Sequence, residues 1–280
     1  MQRMKRALLI LLAIAVFLVG LAGWGYRNAR ADPIVRRATI ALPGWPAGAA
    51  PVRVALLSDI HMESATMDPA RLTRIVGQIN ALQPDLILIA GDFIEGRGAA
   101  NAAHFAPLLT APLSRLRAPL GVVAVLGNHD HWTDAALVRR SLEAIGMTVV
   151  ANGAVVRGPL VIGGLDDQPT RHANLGATLA AMRPLRGARL ILAHSPDIAP
   201  SLPADVPMLL AAHTHCGQIV LPFYGPLTEV SNFGARYRCG LVREGRRAVI
   251  ITAGVGTSTV PMRLGAPADV WLLTLGPRRG

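Results

Sequence analysis

Residues 121–131 read GVVAVLGNHDH, an apolar run that leads directly into Asn, His and Asp side chains. A short apolar run bounded by glycines is typical of a strand buried inside a sheet. The polar cluster then falls at the carboxyl end of that strand, which is where open α/β sheets bind their ligands. Taken alone, GNHD is equally compatible with a polar turn, so the block needs partners elsewhere in the chain.

Four further apolar runs end in the same kind of side chain. Together the five strand ends carry Asp59 and His61, Asp92, Asn128 with His129 and Asp130, His194, and His213 with His215. Carboxylate oxygens and imidazole nitrogens are ligands for divalent metals. The chain has only eight histidines, and turn chemistry explains such clustering at five strand ends poorly. The pattern therefore predicts one metal site.

The remaining hydrophobic pattern predicts an α/β protein. Short apolar runs alternate with longer amphipathic segments, and the carboxyl-terminal half is richer in strands. We expect strands at 52–57, 85–90, 121–126, 160–165, 189–193, 207–212, 248–253 and 270–275, and helices at 68–82, 101–117, 133–145 and 174–183. This order favours an α/β sandwich over a pure Rossmann sheet.

Composition and charge restrict the partners. The 280 residues carry a formal net charge of +11, which suits either nucleic acid or an anionic membrane. The basic residues are scattered arginines without interleaved aromatics, which argues against nucleic acid and favours a membrane. Cys216 and Cys239 are too few for a disulfide framework, although one bridge is possible if the domain is exported. Otherwise Cys239 is expected to be an ordinary small buried residue.

The amino terminus supplies a reason for the membrane interpretation. Residues 7–23, ALLILLAIAVFLVGLAG, are apolar throughout, and basic residues lie on both sides, which leaves the orientation open. A cleaved signal peptide and a buried core helix are the alternatives, but the apolar segment is long for the first and apolar on all faces for the second. We expect an anchor in residues 1–26, a juxtamembrane connector over 27–50 and a folded domain over 51–276, with the inner membrane as the location.

The five strand-end blocks, in their order, resemble those of the calcineurin-like metallophosphoesterases, D-x-H, G-D, G-N-H-[DE], H and G-H-x-H. The stretches AAHTHCGQIVLPFYGPL and AGVGTSTVPMRLGAPADV resemble the membrane-anchored bacterial subgroup, which includes enzymes similar to UDP-2,3-diacylglucosamine pyrophosphohydrolase. The resemblance implies a four-layer α-β-β-α sandwich. Two departures are Ala212, in place of the first Gly of G-H-x-H, and Cys216, where Gly is usual.

The resemblance also implies residue roles. One ion would be held by Asp59, His61, Asp92 and His215, and the other by Asp92, Asn128, His194 and His213. His129 would act on the leaving oxygen, and Asp130 would orient the His129 ring, although capping of the following helix explains Asp130 equally well. Ligands of this kind suit two divalent ions, Mn, Fe or Zn, with Mg less favoured.

The predicted function is hydrolysis of a phosphodiester, pyrophosphate or phosphomonoester by hydroxide bridged between the metals. A lipid substrate is one hypothesis, UDP-2,3-diacylglucosamine of lipid A biosynthesis or a phospholipid, with Ile219 to Phe223 lining an acyl groove. The alternatives are a non-catalytic scaffold of the same fold and a nucleotide or nucleic-acid phosphodiesterase. Arg263 is weighed as a phosphate contact, but arginine is abundant in this chain.

Overall fold

A computed structural model describes residues 2–62 and 64–278. The chain begins with one long helix, α1, and continues as alternating strands and helices. The helices are α1 (Gln2–Arg30), α2 (Pro69–Ala81), α3 (Ala99–Leu113), α4 (Asn128–Thr133), α5 (Ala135–Ala144) and α6 (Leu175–Met182). The strands are β1 (Ile34–Ala41), β2 (Val52–Leu57), β3 (Leu86–Ala90), β4 (Val122–Val125), β5 (Thr148–Val149), β6 (Gly153–Arg157), β7 (Leu160–Gly164), β8 (Ala188–Leu192), β9 (Met208–Ala211), β10 (Val220–Leu221), β11 (Gly225–Pro226), β12 (Gly240–Glu244), β13 (Arg247–Ile251) and β14 (Asp269–Gly276).

Two six-stranded sheets form the centre of the domain. The first has the order β1-β14-β2-β3-β4-β5, and all neighbours are parallel except β14 and β2. The second has the order β12-β13-β9-β8-β7-β6, with antiparallel pairs only at its two edges. The carboxyl ends of β2, β3, β4, β8 and β9 carry the polar blocks, and parallel pairing brings them to one edge of each sheet.

The sheets pack face to face with helices on both outer surfaces. Buried residues of both sheets, such as Leu88 and Leu190, share one apolar cluster between the layers. The other face of the first sheet packs against α2, α3 and α5, whereas that of the second sheet contacts α6 and a short 3-10 helix over Pro196–Ser201. The four-layer α-β-β-α sandwich is thereby confirmed.

Helix α1 is longer than the predicted anchor and is packed onto the domain. Its 29 residues are long and apolar enough, by length and composition, to cross a membrane. Residues 2–20 are exposed, but Gly25 and Ala29 are buried against the domain. The Arg71 guanidinium, fully buried, donates to the carbonyl oxygens of Arg30 and Ala31 at the end of the helix. These contacts satisfy acceptors that a helix terminus otherwise leaves unpaired.

The connector expected over 27–50 is wrong for much of its length. Residues 27–30 complete α1, and Ile34–Ala41 forms β1, which pairs in parallel with β14 along all eight residues. Arg36 bonds the buried Asp269 at 2.6 Å, and Arg37 faces solvent at the sheet edge. Charged residues are common on edge strands, because they discourage pairing with other chains.

Other differences concern short elements. The helix expected over 133–145 is α5, which Asp134 caps by accepting from the Leu137 amide, and a short helix that was not predicted, α4, precedes it. Strands β5, β6, β10, β11 and β12 were not predicted, since they are short or only half-buried and so lack a continuous apolar run.

Candidate metal centre

The loops that follow the five strands bring all of the predicted ligand residues together. Three overlapping groups of side chains have ligand atoms within 4.8 Å of one another. They are Asp59, His61 and His215; His61, Asp92 and His129; and Asp92, His194 and His213. Asp92 and His61 each belong to two groups, and Asp92 is the carboxylate that lies near histidines of both predicted sites, His61 and His194. Asn128, the remaining predicted ligand, has Oδ1 3.1 Å from His194 Nε2.

The ring nitrogens point at one another rather than at ordinary partners. His61 Nε2 is 3.1 Å from His215 Nε2, and His213 Nδ1 is 3.0 Å from His194 Nε2. The Oδ2 atom of Asp92 is 3.6 Å from His61 Nε2 and 3.2 Å from His194 Nε2. Converging lone pairs of buried imidazoles and carboxylates are the arrangement that a bound cation satisfies.

The backbone at this cluster is held in an uncommon conformation. Asp59, His61, Asp92, His213 and His215 all have φ between 47° and 72°, in the left-handed region. Such residues persist only where surrounding structure enforces them, and they concentrate at functional sites. The local geometry therefore supports a built site, in which loop backbone is strained so that side chains converge.

The electrostatics of the cluster favour a cation. Burial opposes ionisation of His194, yet the Asp92 carboxylate raises the pKa of His194 to about 10. Burial and the neighbouring His194 lower the pKa of His213 to about 3, and burial also lowers that of His215. His213 and His215 are thus neutral, the state in which imidazole binds metals. Among the described residues, the buried Asp59 Oδ1 atom has no hydrogen-bond partner. The donor set therefore fits divalent ions.

Sequence reasoning missed Glu95. Its Oε2 atom lies 2.5 Å from His61 Nδ1 and 3.6 Å from His129 Nδ1. Burial raises the pKa of Glu95, but contact with His61 outweighs it and the pKa is lowered overall, so the group is a carboxylate. A carboxylate on the outer nitrogen of a ligand histidine fixes its tautomer and ring orientation. The sequence feature that could have identified Glu95 is its position three residues after Asp92, in the loop that follows β3.

His129 lies where the prediction placed it, beside the cluster and facing the pocket. Its backbone N–H donates to Asp92 Oδ1 at 2.9 Å, and its Nε2 atom lies 3.5 Å from Ser258 Oγ. The ring also makes an edge contact with Trp132. Burial lowers the pKa of His129, so the imidazole is neutral at pH 7.

The predicted role of Asp130 in orienting His129 is wrong. The buried Asp130 carboxylate accepts from the backbone N–H groups of Gly127, Asp92, Phe93 and Ile94. It therefore ties the GNHD turn to the loop after β3 and caps α4, of which it is itself part, by accepting from the Gly127 N–H; the following helix, α5, is capped by Asp134 instead of by Asp130. Glu95, not Asp130, is the carboxylate near the His129 ring.

A pocket of about 630 Å³ opens over the cluster. Its floor includes Asp92, Asn128, His129, His213 and His215, and the exposed Arg97 lies at its edge, stacked over Trp132. Part of the lining, here termed the apolar wall, consists of apolar side chains. It is formed by Trp132, Ile219, Leu227, Val230 and Val260. Of the predicted groove residues Ile219 to Phe223, only Ile219 lines this pocket; Phe223 is fully exposed at the tip of the β10–β11 hairpin.

Arg263 is a structural residue rather than a phosphate contact. Its guanidinium is fully buried and donates to the carbonyl oxygens of Ala253 and Gly256. It also lies 3.3 Å from His215 Nδ1. The arginine thus holds the loop after β13 against a predicted metal ligand.

The interpretation of Cys239 as an ordinary buried thiol is also wrong. Cys239 is half-buried and forms a disulfide with Cys216, the residue that follows His215. The bridge closes the excursion between β9 and β12. Cys216 itself has a φ of 55°, where Gly would be the usual residue, so the disulfide restrains backbone next to the site.

Comparison with known proteins agrees with the fold and the cluster. Residues 52–217 match the calcineurin-like phosphoesterase family. The metallophosphoesterase YkuE of Bacillus subtilis (strain 168) is 31% identical over 231 residues, covering 80% of this chain and 78% of that protein. YaeI of Escherichia coli (strain K12), named a phosphodiesterase, is 31% identical over 245 residues, covering 81% and 83%. The chain belongs to the calcineurin-like phosphoesterase family, and it is a phosphoester hydrolase.

A third relative bears on the amino terminus. The transmembrane protein with metallophosphoesterase domain of Danio rerio is 28% identical over 291 residues, covering 97% of this chain. This chain spans 63% of that relative's length. The match extends over α1 as well as the domain, which is consistent with a single-pass membrane protein.

Proposed function

We propose that the protein is a membrane-anchored phosphodiesterase that uses two divalent metal ions and acts on a lipid phosphoester. The observation that carries the proposal is the position of the convergent Asp and His donors. They line a pocket that also has apolar side chains in its lining, in a chain that carries a helix long enough to span a bilayer. The relative YaeI is named a phosphodiesterase, which supports diester chemistry.

The donor positions support two adjacent metal sites. Asp59, His61, Asp92 and His215 would hold one ion, and Asp92, Asn128, His194 and His213 the other. Nitrogen and oxygen donors without a thiolate suit Mn, Fe or Zn better than a soft metal. When bound, the two ions would supply Lewis acidity and lower the pKa of a water molecule between them.

The chain's own residues supply the rest of the chemistry. His129 faces the pocket, and its neutral ring would donate a hydrogen bond that stabilises negative charge on the leaving oxygen. Glu95 pairs with the outer nitrogen of His61 and would hold that ring in place, so it is a positioning residue, and its carboxylate also lies near the His129 ring. Arg97, at the pocket edge, offers a bidentate cation for a phosphate oxygen.

The apolar wall supports a substrate with acyl chains. Trp132, Leu227 and Val260 face the same pocket as the polar floor, so a headgroup could reach the donors while an attached chain contacts the wall. Because α1 packs directly on the domain, the pocket stays close to the bilayer and has no flexible tether. Both features support a lipid over a free nucleotide.

The disulfide supports a catalytic domain on the outer face of the cytoplasmic membrane. Disulfides persist in oxidising compartments and are rare in the cytosol. A UDP-diacylglucosamine-type substrate requires a cytoplasmic domain, so this orientation favours a phospholipid. The test is thiol labelling in spheroplasts with an impermeant maleimide. We expect labelling only after an impermeant reductant is added. Absence of labelling after reduction, with labelling in lysed cells, would refute the orientation, whereas labelling before reduction would refute the disulfide in the cell.

The metal proposal is tested with the purified full-length chain in detergent. We expect two transition-metal ions per chain by elemental analysis, and hydrolysis of bis(p-nitrophenyl) phosphate that a chelator abolishes. Asp92→Asn should lose metal and activity together. His129→Ala should keep both ions, while kcat falls by roughly two to four orders of magnitude. Absence of metal together with absence of Mn-, Fe- or Zn-stimulated activity would overturn the proposal.

The substrate class is tested by comparing a phospholipid with its deacylated headgroup. We expect kcat/KM to be at least tenfold higher for the acylated compound, which corresponds to about 1.4 kcal/mol of transition-state binding. Nucleotide diesters and nucleic acid belong in the same panel. Equal efficiency on the acylated and deacylated compounds would remove the lipid proposal and leave the phosphodiesterase.

A further inference from the structure

The segment over residues 219–233, here termed the apolar loop, leaves large apolar side chains in solvent. Phe223 is fully exposed, Tyr224 is 75% exposed and Leu227 is 55% exposed. Residues 219–228, IVLPFYGPLT, contain no charged residue. Isolated exposed apolar residues need no explanation, but a contiguous uncharged group of this kind marks an interaction surface.

The apolar loop is fixed to the domain rather than free. The Leu227 N–H donates to the Ile219 carbonyl at 2.9 Å, and β10 and β11 form a short hairpin. At its far end, Asp197 accepts from the Ser231 hydroxyl at 2.5 Å and from the Asn232 backbone N–H at 2.8 Å. The Cys216–Cys239 disulfide lies just outside both ends. The fold therefore holds Phe223 and Tyr224 in a defined position at the hairpin tip.

The apolar loop and helix α1 lie on opposite sides of the same short strip, residues 262–264. On one side, the Arg263 N–H donates to the Gly25 carbonyl of α1 at 3.0 Å. On the other side, the Val220 N–H donates to the Leu264 carbonyl at 2.7 Å. Two contacts thus connect the hairpin to the helix that enters the bilayer.

The same contacts fix the height of the bilayer surface. The apolar part of α1, residues 7–23, is about 26 Å long at 1.5 Å per residue, so with its flanking residues it matches the roughly 30 Å hydrocarbon thickness and ends just before Gly25. Trp24 and Tyr26 are exposed where α1 meets the domain, and such aromatics prefer the membrane–water interface. The headgroup layer therefore lies at the level of Gly25, which is also the level of the strip beside the apolar loop.

We propose that the apolar loop is a second membrane contact, with Phe223 and Tyr224 inserted into the headgroup layer of the bilayer that α1 spans. Leu227 and Val230 belong to both the loop and the pocket wall, so the pocket mouth would open at the headgroup layer. The membrane contact stands on the structure alone. Delivery of a lipid from the bilayer to the pocket rests also on the proposed function.

Insertion is measured on the full chain in nanodiscs of phosphatidylglycerol and phosphatidylcholine. Both native cysteines are paired, so Phe223→Cys introduces the one free thiol for a nitroxide label. We expect the label at 223 to collide more with dissolved oxygen than with a water-soluble nickel chelate. Glu143→Cys, exposed on α5, is the control and should show the reverse. The membrane contact is refuted if the label at position 223 has the same relative accessibility to oxygen and the nickel chelate as the label at position 143. It is also refuted if the label at position 223 is inaccessible to both reagents, as it would be in a contact with protein.

Delivery is measured with a charged tip, Phe223→Asp combined with Tyr224→Asp, neither of which lines the pocket. We expect hydrolysis of bis(p-nitrophenyl) phosphate within twofold of the parent, and at least a tenfold loss on phospholipid embedded in vesicles. Equal losses on both substrates, or none on either, would overturn delivery through the loop. The nitroxide result is independent of turnover, so it separates failure of the membrane contact from failure of the proposed lipid function.

Discussion

Replacement of Gly127 by alanine should disable the site without unfolding the protein. Gly127 begins the GNHD block and has a φ of −114°, which alanine adopts without strain. The effect of the substitution therefore comes from steric contacts of the added Cβ atom and not from the backbone conformation. A Cβ atom at Gly127 would lie 2.2 Å from Asp92 Oδ1, 2.7 Å from the Asp92 amide nitrogen and 2.9 Å from Asp92 Cγ. Rotation of the carboxylate alone cannot relieve all three contacts, because one of them is to backbone.

The size of the effect follows from the displacement required. Ordinary contact begins at 3.4 Å, so the separation from Oδ1 must grow by about 1.2 Å. Asp92 is the shared predicted ligand, and it also accepts from the His129 N–H. A misplacement of about 1 Å in a catalytic group costs on the order of 100-fold in rate, or about 2.7 kcal/mol. We expect kcat/KM on bis(p-nitrophenyl) phosphate to fall at least that far, with roughly 1–3 kcal/mol lost from stability.

Gly77→Ala provides the matched control. Gly77 is an exposed residue inside α2, and an added Cβ there meets no atom within 4 Å. We expect unchanged activity and a gain of roughly 0.5–1 kcal/mol in the free energy of unfolding, because alanine favours helix. Thermal melts, metal content and kinetics are compared for both variants. A Gly127→Ala protein with activity within threefold of the parent would refute the assignment of Asp92 to the centre.

Three further outcomes are expected. Glu95→Gln should lower kcat by roughly 10–100-fold with little change in stability, measured by kinetics and elemental analysis, since outer carboxylates contribute at that level. Reduction of Cys216–Cys239, separated by 23 residues, should cost about 3 kcal/mol in denaturant unfolding. Burial lowers the pKa of His131, but Asp166, 2.8 Å away, raises it above 6.5 overall. Their pairing therefore stabilises the fold below about pH 6.5, and the stabilisation is lost as pH rises through the raised pKa. In Asp166→Asn, an NMR titration should show a lower pKa for His131, and the free energy of unfolding should no longer fall with pH over that range.

The sequence was sufficient for the core strands and for the prediction that polar side chains from their ends lie together. β2 was predicted residue for residue, and β3, β4 and β8 within one residue at either end. These strands are buried on both faces, so each is a continuous apolar run that ends in a polar block. Parallel strands end at a common edge, and the sequence therefore predicted that Asp59, Asp92 and the other ligand residues would meet.

Tertiary structure decided what depends on contacts between distant segments. The pairing of Ile34–Ala41 with β14, the Cys216–Cys239 bridge and the position of Glu95 against His61 join residues whose local patterns are ordinary. The role of Asp130 changed for the same reason, because a carboxylate next to a histidine in sequence bonds whichever N–H groups the fold brings nearest. The packing of α1 against the domain could not be predicted from the sequence either. Gly25 and Ala29 look like any other apolar helical residues, and only the packed strip beside them makes the anchor part of the domain.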